Sequence, residues 1–152
     1  MKLLSTVLAI VAALSFSHSA NAIQASVISR PSAQVECLAQ NAYFEARNQP
    51  LSGKIAVMNV VMNRTLDSRF PKTPCGVIHQ RTGRSCQFSW VCTPSTIRDH
   101  SSYNELKDLA AKVYNGQVGD VTGGAKFFHN RAVKPGWRHT VTKVIQSHVF
   151  YR

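Results

Sequence analysis

The patterning of residues 32–66 constrains the fold more than any other feature of the chain. In SAQVECLAQNAYFEAR, residues 32–47, Val35, Leu38, Ala39, Ala42 and Ala46 fall on one face of a helix. Ser32 is placed to cap that helix, and Asn48-Gln49-Pro50 ends it. A second helix is expected from Ser52 to Leu66, with Ile55, Met58, Val61 and Met62 at helical spacing. The loop between them is short, so the two helices must form an antiparallel hairpin and bury their stripes against the rest of the chain.

That remainder changes texture twice. FPKTPCGVIHQRTGRSCQFSWVCTP, residues 70–94, is dense in proline, glycine and cysteine, with β-prone pieces at Val77-Ile78 and Gln87–Val91. It reads as a stapled loop region holding a small antiparallel sheet. A third helix is expected over Ser102–Asn115, carrying Leu106, Leu109, Ala110 and Val113 and stopping at Gly116. Beyond it, GDVTGG is a turn, AKFFHN a strand, KPGW a turn, and HTVTKVIQSHVFYR either helix or strand. The expected class is α+β, mostly helical with a small antiparallel sheet and disulfide staples, in one domain over residues 35–152.

Residues 1–22 are expected to be a secretory signal. Lys2 precedes the apolar run LLSTVLAIVAALSF, and Ala20 and Ala22 supply an A-x-A cleavage pattern. The competing reading is an uncleaved anchor, for which the apolar run is short. Residues 23–34 then form a flexible lead-in. Export makes Cys37, Cys75, Cys86 and Cys92 disulfide candidates, with three pairings open. A zinc site would compete, but C-x-x-C spacing is absent. The chain has 18 Lys and Arg against 7 Asp and Glu, a net charge of +11. An exported protein this basic favours polyanions such as nucleic acid, acidic lipid or an anionic cell-wall polymer.

Few side chains are placed for chemistry. Glu36, Glu105 and Asp108 lie on polar helix faces and are expected in solvent. Glu45 is different, because it follows Leu38 by seven residues and so lies about 20° from it around the helix. A carboxylate on an apolar face is desolvated and its pKa rises, which is what a general acid requires. The structural alternative is a salt bridge, yet Arg47 points about 160° away from Glu45. His79, His100, His129, His139 and His148 show no H-E-x-x-H or other tight ligand spacing, so neither metal nor cofactor is expected. Of Phe88, Trp90, Phe127, Phe128, Trp137, Phe150 and Tyr151, most should be core and about two should face a ligand.

These pieces converge on a family. LAQNAYFEARNQPLSGKIAVMNVVMNR, then CGVIHQ, QFSW, GDVTGGAKFFHN and the ending SHVFYR resemble, in order, the bacterial cell wall hydrolases related to the spore-cortex-lytic enzymes. The resemblance runs from about Val35 to Arg152. It implies a lysozyme-like lytic transglycosylase domain that cleaves the MurNAc–GlcNAc bond of peptidoglycan glycan strands. Beside it, export predicts action in the periplasm or cell envelope, and a monomer without nucleic acid or stable membrane association is expected. The resemblance makes Glu45, within Tyr43-Phe44-Glu45-Ala46-Arg47, the catalytic acid. Gln87, Ser89 and Asn130 fall inside matched motifs and are expected near the sugar, with His129 and His148 along the cleft. Thr122, Gly123 and Gly124 are expected to shape a turn. A hydrolytic muramidase would need a second carboxylate, for which only Asp99 and Asp120 sit on loops. The remaining rivals are a zinc amidase cutting the muramoyl–alanine bond, a nuclease and a non-catalytic wall-binding module.

Overall fold

The computed structural model describes residues 32–152. The expected signal, its cleavage site and most of the lead-in therefore lie outside the described residues. Helix α1, Ala33–Ala46, starts where Ser32 Oγ accepts from the Val35 amide at 3.3 Å, so the last residues of the expected lead-in already belong to the helix. Helix α2, Leu51–Thr65, follows after Pro50, and the two form the expected hairpin. Helix α3 is Pro74–Ile78 and a two-residue ladder joins β1, Arg81–Thr82, to β2, Ser85–Cys86. A single-turn helix α4, Ser89–Cys92, precedes the long α5, His100–Tyr114. The chain ends in β3, Phe127–Asn130, β4, Val141–Ile145, and β5, His148–Tyr151, which pair antiparallel in the order β3-β5-β4. The class is thus the expected mostly helical one with small antiparallel sheets. No helix among the described residues is long and apolar enough to cross a membrane.

Helix α1 is the centre of the molecule. Its apolar stripe packs against Met58 and Val61 of α2, Val77 and Ile78 of α3, and Leu106 and Ala110 of α5. Small residues at Ala39 and Ala42 let these helices approach closely, which is how a short chain builds a dry core. A smaller cluster of Ala56, Val60, Ala125 and Phe150 fastens the other side of α2 to the sheet. Cys37–Cys75 ties α1 to α3, while Cys86–Cys92 closes the segment between β2 and the end of α4.

The stapled region departs from expectation in detail. Val77 and Ile78 are helical, because Thr73 Oγ1 caps the Gly76 amide at 3.2 Å and Pro74 begins the helix. Residues 87–91 are not a strand either, since Phe88 is extended and α4 follows it directly. The small ladder lies earlier, turning at Gly83, whose φ of 60° suits a two-residue hairpin. In the tail, the helix-or-strand ambiguity resolves as β4 and β5. The third helix begins two residues early, because Asp99 Oδ1 accepts from the Ser102 amide at 3.0 Å.

Glu36, expected in solvent, and Asp120, the loop candidate for a second carboxylate, are both occupied. Glu36 is half-buried and receives the Tyr103 hydroxyl. Asp120 organises the turn before β3. Its Oδ1 accepts from the Thr122 amide at 2.7 Å and hydroxyl at 2.6 Å, and its Oδ2 from the Gly124 amide at 2.6 Å. Asn63 of α2 donates to the same Oδ2 at 3.1 Å, locking the turn to the helix. Thr122, Gly123 and Gly124 do shape this turn, with φ of 68° at Gly123 and 80° at Gly124.

Candidate active site

The C-terminal turn of α1 opens onto a groove with two lobes. Lobe one, about 500 Å³, runs between residues 43–49 and the segment around Pro94–Arg98. Lobe two, about 560 Å³, is walled by Gln87, Phe88 and Ser89 on one side and by Phe127, His129 and Trp137 on the other. Glu45, Asn130 and His148 line both, so the lobes meet at Glu45.

Local folding puts Glu45 there. Tyr43 and Ala46 are buried, which turns the intervening Glu45 toward the edge of the core. Phe44 stacks on Trp90 with ring centroids 4.8 Å apart, and Trp90 Nε1 donates to Asn41 Oδ1 at 3.0 Å. The buried Tyr43 hydroxyl accepts from the amides of Arg98 and Asp99, at 3.2 and 3.1 Å, and from Arg47 Nη1 at 3.0 Å. The end of α1 is thereby fixed to the Arg98–Asp99 side of lobe one and to Trp90. Burial raises the Glu45 pKa above the ordinary carboxylate value. The negative end of the α1 dipole acts in the same direction. Arg47 bonds Tyr43 instead, as the helical spacing required.

Among the described residues Glu45 is the sole carboxylate lining the groove. Asp99 caps α5, and hydrogen bonds from Ser102 hold its pKa down. Burial pushes the Asp120 carboxyl up, but hydrogen bonds from Thr122, Gly124 and Asn63 outweigh it and leave the pKa lowered. Neither faces the groove. No three His, Cys, Asp or Glu side chains come together as a metal-ligand set among the described residues.

The other residues singled out from sequence are brought together here. Gln87, Ser89 and His129 line lobe two, and Asn130 and His148 sit at the junction. The sheet explains this, because Asn130 and His148 are directly opposite each other in the β3–β5 ladder. His129 has both ring nitrogens engaged, Nδ1 with the Asn130 carbonyl at 2.8 Å and Nε2 with the Tyr151 hydroxyl at 2.7 Å. Its place is a wall. His148 is 5% exposed, its Nδ1 has no partner among the described residues, and burial, then the nearby His129, lowers its pKa. It stays a neutral imidazole at neutral pH.

Three cations were not singled out from sequence as groove residues: Arg47 and Arg98 line lobe one and Arg64 lines lobe two. Of the seven aromatics, Phe88, Phe127, Phe128 and Trp137 line lobe two, with Phe88 at the same time part of the core. Arg64 lies about 60° around α2 from Val61, the nearest residue of the Ile55–Met58–Val61–Met62 stripe, so the helical spacing that marks Glu45 does not mark it.

The fold and site agree with a family match. The model of the cell wall hydrolase family matches residues 48–151, and the chain belongs to that family. The match begins three residues after Glu45 and so does not include it. Among relatives, the spore cortex-lytic enzyme of Bacillus cereus is 26% identical over 121 residues, covering 76% of this chain and 43% of that protein. That of Halalkalibacterium halodurans is 28% identical over 123 residues, covering 76% and 34%. The chain thus spans less than half the length of these curated relatives. In three dimensions it resembles the catalytic domain of the Bacillus anthracis germination-specific lytic transglycosylase SleB, with a TM-score of 0.62, 25% identity, and 82% and 98% of the two chains covered. The Bacillus cereus SleB catalytic domain gives a TM-score of 0.60 at 26% identity, covering 78% and 89%.

Proposed function

We propose that this chain cleaves the MurNAc–GlcNAc bond of peptidoglycan as a lytic transglycosylase, with Glu45 as general acid and then general base. The observation that carries the proposal is the isolation of Glu45: one half-buried, pKa-raised carboxylate at the junction of a two-lobed groove, with no second carboxylate among the described residues facing it. A glycan strand laid along the groove has one sugar in each lobe and the scissile oxygen over Glu45. Protonated Glu45 donates to that oxygen as positive charge develops at the muramic C1. The resulting carboxylate then takes the proton of the muramic C6 hydroxyl, whose oxygen closes onto C1 as a 1,6-anhydro ring. Gln87, Ser89 and Asn130 are positioned to hydrogen-bond the sugars, Trp137 offers a ring face, and His129 and His148 form the wall. Export through residues 1–22 and action as a monomer on extracytoplasmic glycan complete the proposal, which involves no nucleic acid and no stable membrane association.

The hydrolytic alternative needs a second carboxylate in the groove to hold a water or form a glycosyl intermediate. Product analysis separates the two chemistries. Digests of purified sacculi are treated with borohydride, which converts reducing ends to alditols and leaves anhydromuramic ends intact. Anhydromuramic ends in the mass spectrum are expected. Exclusively alditol ends would make the enzyme a muramidase, and release of stem peptides that stops with chelator would make it a zinc amidase.

A further inference from the structure

Arg64 is 3% exposed, yet no carboxylate among the described residues pairs with it. The nearest acid in sequence, Asp67, is taken by Arg69 and Lys126. Arg64 Nε donates to the Lys126 carbonyl at 2.6 Å, and Nη1 is buried with no hydrogen-bond partner among the described residues. Burial pulls its pKa down to about 10, which leaves the guanidinium charged at neutral pH. Phe70, Phe88 and Phe127 surround it, their ring centres 5.2, 5.6 and 5.6 Å from Cζ. These rings stabilise the cation but accept none of its N–H groups in the plane. Buried charges are ordinarily paired, and a guanidinium matches a carboxylate with two parallel hydrogen bonds. Phe88, Phe127 and Arg64 itself all line lobe two, so the side chain that carries this donor is part of the wall of the groove.

We propose that lobe two is a carboxylate subsite, in which Arg64 receives the free lactyl carboxylate of a muramoyl residue that has lost its stem peptide. The proposal rests on the reading that the groove binds peptidoglycan glycan. The backbone sugars of such a strand carry hydroxyls, ethers and acetamido groups, and the acid borne directly on a ring is the lactyl group of muramic acid. While a stem peptide is attached, that group is a neutral amide. Once the peptide is removed it is an anion, within one ring of the scissile bond. Lobe two has room for one substituted sugar against Trp137 and Phe127. A reaction that hydrolyses the lactyl amide must therefore act on the strand before this enzyme does.

The test uses the full chain and three matched glycan preparations: strands bearing stem peptides, strands stripped of them, and stripped strands whose lactyl carboxylates are capped as methyl amides. Stripped strands are expected to show a kcat/KM at least roughly tenfold above both others. The preference should persist at about 0.3 M salt, where attraction to the exposed Arg47 and Arg98 is screened. Arg64→Gln is expected to lower the stripped-strand value to the capped-strand value. Because Arg64 also bonds Lys126, that variant can fail to fold, but the comparison of substrates on the unaltered chain needs no variant. Calorimetric binding of the three preparations to Glu45→Gln should give the same ranking without catalysis. Equal values for stripped and capped strands would overturn the subsite and leave the glycosidase reading standing. Ranked binding without cleavage of any strand would support the subsite and overturn the glycosidase reading.

Discussion

The two disulfides should fail in different ways when removed. Cys37–Cys75 closes a loop with a sequence separation of 38, and the chain-entropy relation gives about 4 kcal/mol for a loop of that size. Cys86–Cys92, with a separation of 6, gives about 2 kcal/mol by the same relation. For a domain of this size the losses correspond to Tm decreases of about 15 °C and about 8 °C. Function should rank them the other way. Cys37–Cys75 joins α1 to α3 away from the groove, whereas Cys86, Gln87, Phe88 and Ser89 form one wall of lobe two. The Arg81 guanidinium also bonds both sulfurs of Cys86–Cys92, at 3.3 Å each, and holds the β1–β2 hairpin against that wall. The double variants C37S/C75S and C86S/C92S can be compared by calorimetry and by initial rates on sacculi, well below either Tm. The first should lose more Tm and keep its KM, and the second should lose less Tm and raise its KM several-fold. Equal Tm losses, or an unchanged KM in C86S/C92S, would refute this assignment of the two staples.

Four further outcomes are expected. Tyr43→Phe removes one acceptor from two backbone amides and Arg47, and should cost about 1–3 kcal/mol in urea unfolding. Glu45 has a folded-state pKa above its unfolded one, so the folded chain binds the extra proton and stability falls as pH rises through that range. Glu45→Gln should accordingly be more stable than the unaltered chain at neutral pH, with the gain disappearing in acid, and the cleavage rate should fall on the alkaline side of the raised pKa. Asp120 has the opposite sign: its lowered pKa gives stability that is present at neutral pH and lost as pH falls through the folded value. Asp120→Asn should lose about 1–3 kcal/mol in denaturant titration and still cleave glycan while folded.

The parts of the molecule built from local periodicity were legible in the sequence. The α1–α2 hairpin follows from two apolar stripes and one proline break, and Glu45 stands out because it interrupts such a stripe. Legibility ended where distant groups decide. Val77-Ile78 has β-branched character, but the Thr73-Pro74 start signal and burial against α1 make it helical. Asp120 sits on a loop in the sequence, and its occupation by the Thr122 and Gly124 amides two and four residues on, and by Asn63 57 residues away, emerges only once the turn is folded. The tail could be helix or strand by pattern, and pairing with the Phe127–Asn130 strand decides it. Arg64 lies outside the Ile55–Met58–Val61–Met62 stripe of α2, and its burial comes from packing on the far side of that helix. What sequence could not supply was the absence of a partner, which only the packed structure shows.

The central claim, that Glu45 is the catalytic acid of this groove, is tested most directly by clearing of purified sacculi with the unaltered chain and with Glu45→Gln, alongside sedimentation of each protein with intact sacculi. The expected result is a loss of at least about a hundredfold in clearing rate with co-sedimentation retained. Clearing by Glu45→Gln at the unaltered rate would contradict it and move the chemistry elsewhere on the chain.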